Sequence, residues 1–232
     1  MAKKRVSRSR KRQLEKPDKF ISFSARFFEF LTKYKVHILS AVGVIFAIII
    51  VCCSVYYYSN SSENKASAML SNSVAKYDKI KNEHGSVKAC QEVANDFKQI
   101  IENRWGKDSA KLATVMYANI CYNAGEFDRA MELYNKALPE FENNPFIKSL
   151  ILNGFAYSCE GEKDYNSAAK YFEIIISGPD DAIKGEALFN LARLYSVMGN
   201  KDKSIEAFNK IITDYNDSSY LEMAKEKIFV TF

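Results

Sequence analysis

Three stretches of this chain carry residues of the same size at the same spacing. Aligning NICYNAGEFDRAMELYNKAL (119–138), AYSCEGEKDYNSAAKYFEII (156–175) and LARLYSVMGNKDKSIEAFNKII (191–212) puts Ala118, Ala156 and Ala192 in step, 38 and 36 residues apart. Twelve residues after each comes a second small residue, Ala130, Ala168 and Ser204, and four further on an aromatic, Tyr134, Phe172 and Phe208. One place before the first small residue stands a large apolar one: Tyr117, Phe155 and Leu191. A period of this length with helical spacing inside it describes a helix pair that buries its apolar face only by stacking on the next pair. The small residues let two helices approach closely, and the aromatics fill the groove between neighbouring pairs.

The pattern resembles the tetratricopeptide repeat, a helix-turn-helix unit of about 34 residues. Counted from Lys111, Ser149 and Gly185, the units are 111–144, 149–182 and 185–218. The usual turn glycine, fifteenth in the unit, is Gly125 in the first and Gly199 in the third. The second has Lys163 there and Gly161 two places earlier, which predicts a reshaped turn. Residues 219–232 read as a closing helix, with Ala224 falling 32 places after Ala192. Upstream, 59–108 reads as a degenerate helix pair, whose second helix is marked on one face by Val87, Val93, Phe97, Ile100 and Ile101. Terminal units are atypical because each has one neighbour to pack on.

The stretch VHILSAVGVIFAIIIVCCSVYYY (36–58) has a different character: it holds no acidic residue, no Lys or Arg, and one His. As a helix it covers about 35 Å, enough to cross a hydrocarbon layer of about 30 Å. It is too long for the apolar part of a signal peptide, and bulky tyrosines stand where a peptidase needs small residues. It also lacks the polar stripe of a soluble core helix. An uncleaved anchor is the reading, with Tyr56, Tyr57 and Tyr58 as an interfacial aromatic belt. The fold class expected is therefore all-α: one N-terminal transmembrane helix, then an α-solenoid of about four helix pairs.

Charge gives the direction. Residues 1–35 carry twelve Lys/Arg against Glu15, Asp18 and Glu29, a net +9, whereas the whole chain is +5, leaving −4 for the remainder. Basic flanks stay on the cytoplasmic side. The basic tail (1–19) is thus expected inside and the repeat domain (59–232) outside. The tail also fits a nucleic-acid patch. Beside a span, a topology determinant that touches anionic lipid is the plainer reading. Between tail and span, 20–35 forms an amphipathic juxtamembrane segment, with Phe20, Phe23, Phe27, Leu31 and Tyr34 on one side and Lys19, Ser22, Arg26, Glu29 and Lys33 on the other. It fits a helix lying in the membrane surface or one packed on a partner membrane protein.

Two of the five cysteines, Cys52 and Cys53, lie in the span, which leaves Cys90, Cys121 and Cys159 with no close spacing. That is no disulfide framework, and no metal-ligand pattern accompanies it. Cys121 and Cys159 share the eleventh, inward-facing place of their units, occupied by Tyr195 in the third, and read as small buried hydrophobes. There is no nucleophile elbow, phosphate-cradling loop or HExxH, and the only histidines are His37 and His84. No catalytic residue, cofactor or metal is expected; the acidic groups at Glu160 to Asp164 and Asp180-Asp181 read as solvated helix faces.

Binding is the alternative to chemistry, because stacked helix pairs present a concave surface. In repeats of this kind the second, fifth, ninth and twelfth places line it. Here they are Leu112, Val115, Asn119 and Tyr122; Leu150, Asn153, Tyr157 and Glu160; and Glu186, Phe189, Arg193 and Ser196. The mixture of aromatic, amide and opposite charges suits an unfolded or extended polypeptide. The plain alternative for each residue is packing on the closing helix. The clamp for a C-terminal carboxylate is approached only by Asn119 and Arg193 and is not assigned.

Basic tail, one span and an outward repeat domain together resemble the YfgM-type family, ancillary subunits of the bacterial SecYEG translocon. The local match is best in NRWGKDSAKLATVMYANICYNAGEFDRAMELYNKAL, from Asn103 onward. The resemblance implies a single-pass inner-membrane protein beside the translocon. Its periplasmic repeats would meet emerging chains and hand them to a membrane-anchored chaperone or peptidyl-prolyl isomerase. Two other classes remain open: an envelope scaffold that holds no client, and an organelle receptor with cytosolic repeats, which the basic inside tail disfavours.

Overall fold

In a computed structural model of the chain, residues 19–102 and 107–231 are described, and among them there is no strand. The basic tail lies, but for Lys19, outside the described residues, as do 103–106 at the head of the stretch that begins at Asn103. The chain divides into two compact units, 1–58 and 59–232.

The N-terminal unit contains α1 (Lys19–Lys33) and the first part of α2 (Lys35–His84). Phe27, Phe28 and Phe30 are exposed on α1, and the Phe30 ring lies 4.9 Å from that of Tyr34 just past its end. The apolar part of α2 reaches a mean hydropathy of 2.9 over an 18-residue window, none of it buried, so the helix is long and apolar enough to cross a membrane. α2 continues without a break to His84, and Ala66, Leu70, Ser73 and Tyr77 on its later part are buried.

The second unit continues with α3 (Ser86–Ile101), α4 (Lys107–Asn123), α5 (Phe127–Ala137), a 3-10 turn (Leu138–Phe141), α6 (Pro145–Gly161), α7 (Tyr165–Ser177), α8 (Lys184–Val197), α9 (Lys201–Asp214) and α10 (Leu221–Thr231). From α3 onward each helix packs on the next, as a stack of helix pairs requires. The repeated small and large positions make the core: Ala118, Ala156, Ala192, Ala130, Ala168, Ser204, Tyr134, Phe172, Phe208, Tyr117 and Leu191 are all buried. Where Ser204 replaces alanine, its hydroxyl donates to the Ala192 carbonyl at 2.8 Å, so the polar atom is satisfied inside the helix–helix contact. The tight approach also explains Gly154 and Gly161. A Cβ on Gly154 would meet the buried Tyr134 ring, and one on Gly161 would come within 2.5 Å of the Phe127 ring. At the C-terminal end Ala224 of α10 is buried with Leu188, Ala192, Phe208 and Ile211, closing the stack.

Two expectations need correction. The buried face of α3 is Ala89, Cys90, Val93, Phe97 and Ile100, while Val87 is exposed. At 100° per residue Val87 falls about 120° away from Val93, off the packed stripe. The turn of the second unit is likewise not reshaped. Lys163 has φ 64°, against 79° at Gly125 and 75° at Gly199. All three turns carry the same pair of bonds: Gly125 N–H to Tyr122 O and Glu126 N–H to Cys121 O, then Lys163 to Glu160 and Asp164 to Cys159, then Gly199 to Ser196 and Asn200 to Tyr195. These bonds satisfy the last helical carbonyls and hold the left-handed residue whatever its side chain. Asp164 then caps α7 by accepting from the Ser167 amide at 3.1 Å, as Asn144 caps α6 through the Ile147 amide.

A left-handed conformation costs a non-glycine residue about 1–2 kcal/mol, and glycine returns about 0.5–1 of that through its looser unfolded chain. Lys163→Gly therefore raises stability by about 0.5–1 kcal/mol. A higher urea midpoint with unchanged slope is the expected reading, and a lower midpoint would contradict this account of the turn.

Candidate functional site

The positions that the sequence pattern assigns to a concave face lie on α4, α6 and α8. Helical spacing brings the second, fifth, ninth and twelfth places of each onto one side, since steps of three and four residues return to the same face. The structure sorts them into two groups.

The first group is open. Leu112 and Leu150 are exposed, at 46 % and 41 %, and Val115 between them is half-buried. Asn119 is exposed and accepts the Tyr134 hydroxyl at 2.5 Å. Ser196, at the far end, is exposed.

The second group is linked across helices. Glu186 on α8 accepts at one carboxylate oxygen from Asn153 Nδ2 (3.1 Å) and from the Tyr157 hydroxyl (2.9 Å), both on α6. Asn190 donates to that hydroxyl at 2.8 Å and to the Glu186 carbonyl at 3.0 Å. Arg193 makes a two-pronged ion pair with Glu160, at 2.5 and 2.6 Å. The Tyr122 ring of α4 lies 6.2 Å from the Tyr157 ring, which carries the arrangement into the first unit. Phe189 is covered differently: its ring stands 5.6 Å from Phe208 and 5.1 Å from Tyr220, against the closing segment.

Electrostatics follow the burial. Removal from water pushes the Tyr157 and Tyr122 hydroxyls above their ordinary range, helped by the Glu186 carboxylate for the one and Glu160 for the other. Donating to the Glu160 carboxylate raises Arg193 above its ordinary range, against the lowering effect of burial. A bidentate guanidinium–carboxylate pair fixes direction as well as charge, so Glu160 and Arg193 hold α6 and α8 in register. The arrangement sets paired polar groups and aromatic rings beside one another on α4, α6 and α8. It holds no nucleophile beside a base, and no ionisable pair set up for proton transfer among the described residues.

Sequence reasoning missed Asn190, sixth in its unit and buried at the centre of the network. The available signal was its place one helical turn after Glu186 and three residues before Arg193. It also missed a meeting of thiols. Cys90 on α3 and Cys121 on α4 are fully buried with their sulfurs 3.9 Å apart. Cys159 behaves as expected, buried against Met131 with its thiol pushed up to about 11 by burial.

Tetratricopeptide repeat is the family whose model matches residues 186–218, the span of α8, α9 and the segment before α10. The chain contains a tetratricopeptide repeat. No curated protein matches it. Repeats of this type serve protein–protein interaction, and folds of this all-helical kind are typically non-catalytic.

Proposed function

We propose that this is a non-enzymatic, membrane-anchored tetratricopeptide-repeat protein of the YfgM type, whose repeats bind other polypeptides on the periplasmic side of a bacterial inner membrane. In this reading it is an accessory of the SecYEG translocon, and it links emerging secretory chains to a membrane-anchored chaperone or isomerase. The observation that carries the reading is the pairing of a 50-residue helix, apolar over its early part, with a repeat array that begins in the same helix. A span of that kind ties the repeats to a membrane, at which an emerging chain is still extended. The groove supplies exposed leucines at Leu112 and Leu150 for apolar side chains. Beside them lie Val115, Asn119, Tyr122, Asn153, Tyr157, Glu160, Phe189 and Arg193, with aromatic faces and polar atoms that suit a backbone of any sequence.

A scaffold that assembles an envelope machine and holds no client is the second reading. What favours it is the self-sufficiency of the polar half, where Arg193 is already paired with Glu160, and Asn153 and Tyr157 with Glu186. Site-specific photocrosslinkers separate the two. Probes in 36–58 are expected to capture translocon subunits, and probes at Tyr122 or Tyr157 to capture many unrelated secretory chains. A single structural complex at the span with nothing at the groove would establish the scaffold. Protease added outside spheroplasts is expected to digest 100–232; protection of that region would overturn the orientation.

A further inference from the structure

We infer that Cys90 and Cys121 are a disulfide site that staples the leading helix pair to the first repeat. Their sulfurs, 31 residues apart in sequence, lie 3.9 Å apart. A disulfide needs about 2.05 Å, so the two side chains have about 1.9 Å to close. Cys90 projects from α3 and Cys121 from α4, and both thiols are free among the described residues. The site also reaches toward water. Glu126, at the turn into α5, has a carboxylate oxygen within 4.8 Å of both sulfurs and is half-buried. Both thiols are buried, so an oxidant reaches them through local opening of the α3–α4 contact.

The two thiols share a hydrogen bond in which either sulfur can donate, and the bond favours the thiolate at the sulfur that accepts it. Attack can begin at either sulfur and ends in the same bond. With oxidised glutathione as oxidant and Cys90 attacking first, its thiolate displaces one glutathione thiolate and forms a mixed disulfide. Cys121, losing its proton, then displaces the second from Cys90. Two thiol protons and two electrons pass from the protein to the glutathione disulfide, which leaves as two glutathione molecules. A divalent metal is the poorer occupant. Glu126, the third donor, is paired with Arg129 at 3.1 Å, and the Arg129 guanidinium sits 5.0 Å over the Tyr117 ring, placing a fixed cation beside the site.

A bond here closes a loop of about 30 residues, and cross-links of that size stabilise by restricting the unfolded chain. It would hold α3 on the repeats, where each terminal pair has one neighbour and opens first. The proposal rests on the outward placement of the repeats only for the oxidation to occur in cells, because disulfides persist in oxidising compartments.

The test uses the full chain in detergent, exposed to oxidised glutathione and then quenched with N-ethylmaleimide. Peptide mass spectrometry is expected to find a Cys90–Cys121 linked pair two hydrogens lighter than the thiols, with Cys159 alkylated after unfolding. The oxidised chain should melt roughly 5–10 °C above the reduced one, and Cys90→Ala should remove both effects. Recovery of Cys90 and Cys121 as alkylated thiols would overturn the proposal. So would links through Cys159, or protection that follows added zinc and disappears with chelator. Quenching whole cells forms a separate arm. Thiols free in cells but linked by glutathione in detergent would support the site and overturn the outward placement.

Discussion

Replacing Phe172 by alanine is expected to lower the stability of the repeat array by about 3–5 kcal/mol, the range for emptying a fully buried aromatic site. Phe172 has no exposed surface and packs in one cluster with Leu152, Ala156, Cys159, Ala168, Leu191 and Leu194. Its ring also meets that of Tyr157 edge-on at 5.7 Å, so the loss includes an aromatic pair that holds a groove residue. The loss depends on how far the surrounding leucines, Leu152, Leu191 and Leu194, can close the space, since Ala156 and Ala168 beside them have no side chain that could fill it. Urea unfolding of the full chain in detergent reads the effect as a fall in midpoint. Val197→Ala, at a residue on α8 that is 56 % exposed, serves as control and should change stability by less than about 0.5 kcal/mol. A Phe172→Ala loss below about 1 kcal/mol would mean that the second and third units are not packed through this ring.

That prediction rests on a position legible from sequence alone, and the reason is local. Ala156, Ala168 and Phe172 are fixed by the separation of two helices joined by one short turn, so their spacing along the chain encodes their contact. That logic failed where the deciding interaction lies elsewhere. Lys163 looked like a broken turn because a residue preference is visible in sequence, while the two hydrogen bonds that enforce the left-handed backbone are not. Val87 looked buried because it is apolar, although the helical phase of α3 is set by Cys90 and Phe97 against α4.

Long-range meetings were harder still. Cys90 belongs to the leading pair and Cys121 to the first repeat, and their contact depends on how far α3 slides along α4. No spacing rule carries that distance. Asn190 was overlooked for another reason, since an amide in mid-helix reads as surface unless its partners are known. The polar network was half legible. The place rule named Glu160, Arg193, Asn153 and Tyr157, but their being paired with one another, across units, belongs to the fold.

Truncating Glu186 is expected to have the second large effect, a loss of about 2–3 kcal/mol. Its carboxylate accepts from both Asn153 and Tyr157, so Glu186→Ala leaves two half-buried donors without an acceptor, and unmet buried groups cost about 1–3 kcal/mol each. Asn153 is hit hardest, because its Oδ1 is buried and already lacks a partner. Glu186→Gln keeps an acceptor in place and should cost less than about 1 kcal/mol. In a double-mutant cycle with Tyr157→Phe, the two losses should fall short of additivity by about 1 kcal/mol, since the phenylalanine no longer needs the carboxylate. Full additivity would show that the Tyr157–Glu186 bond carries no energy. The same variants test the groove. If clients bind there, freeing Tyr157 and Asn153 from Glu186 should change crosslinking at Tyr122 even under conditions where Glu186→Ala remains folded. A scaffold whose groove stays empty would lose stability and show no such change.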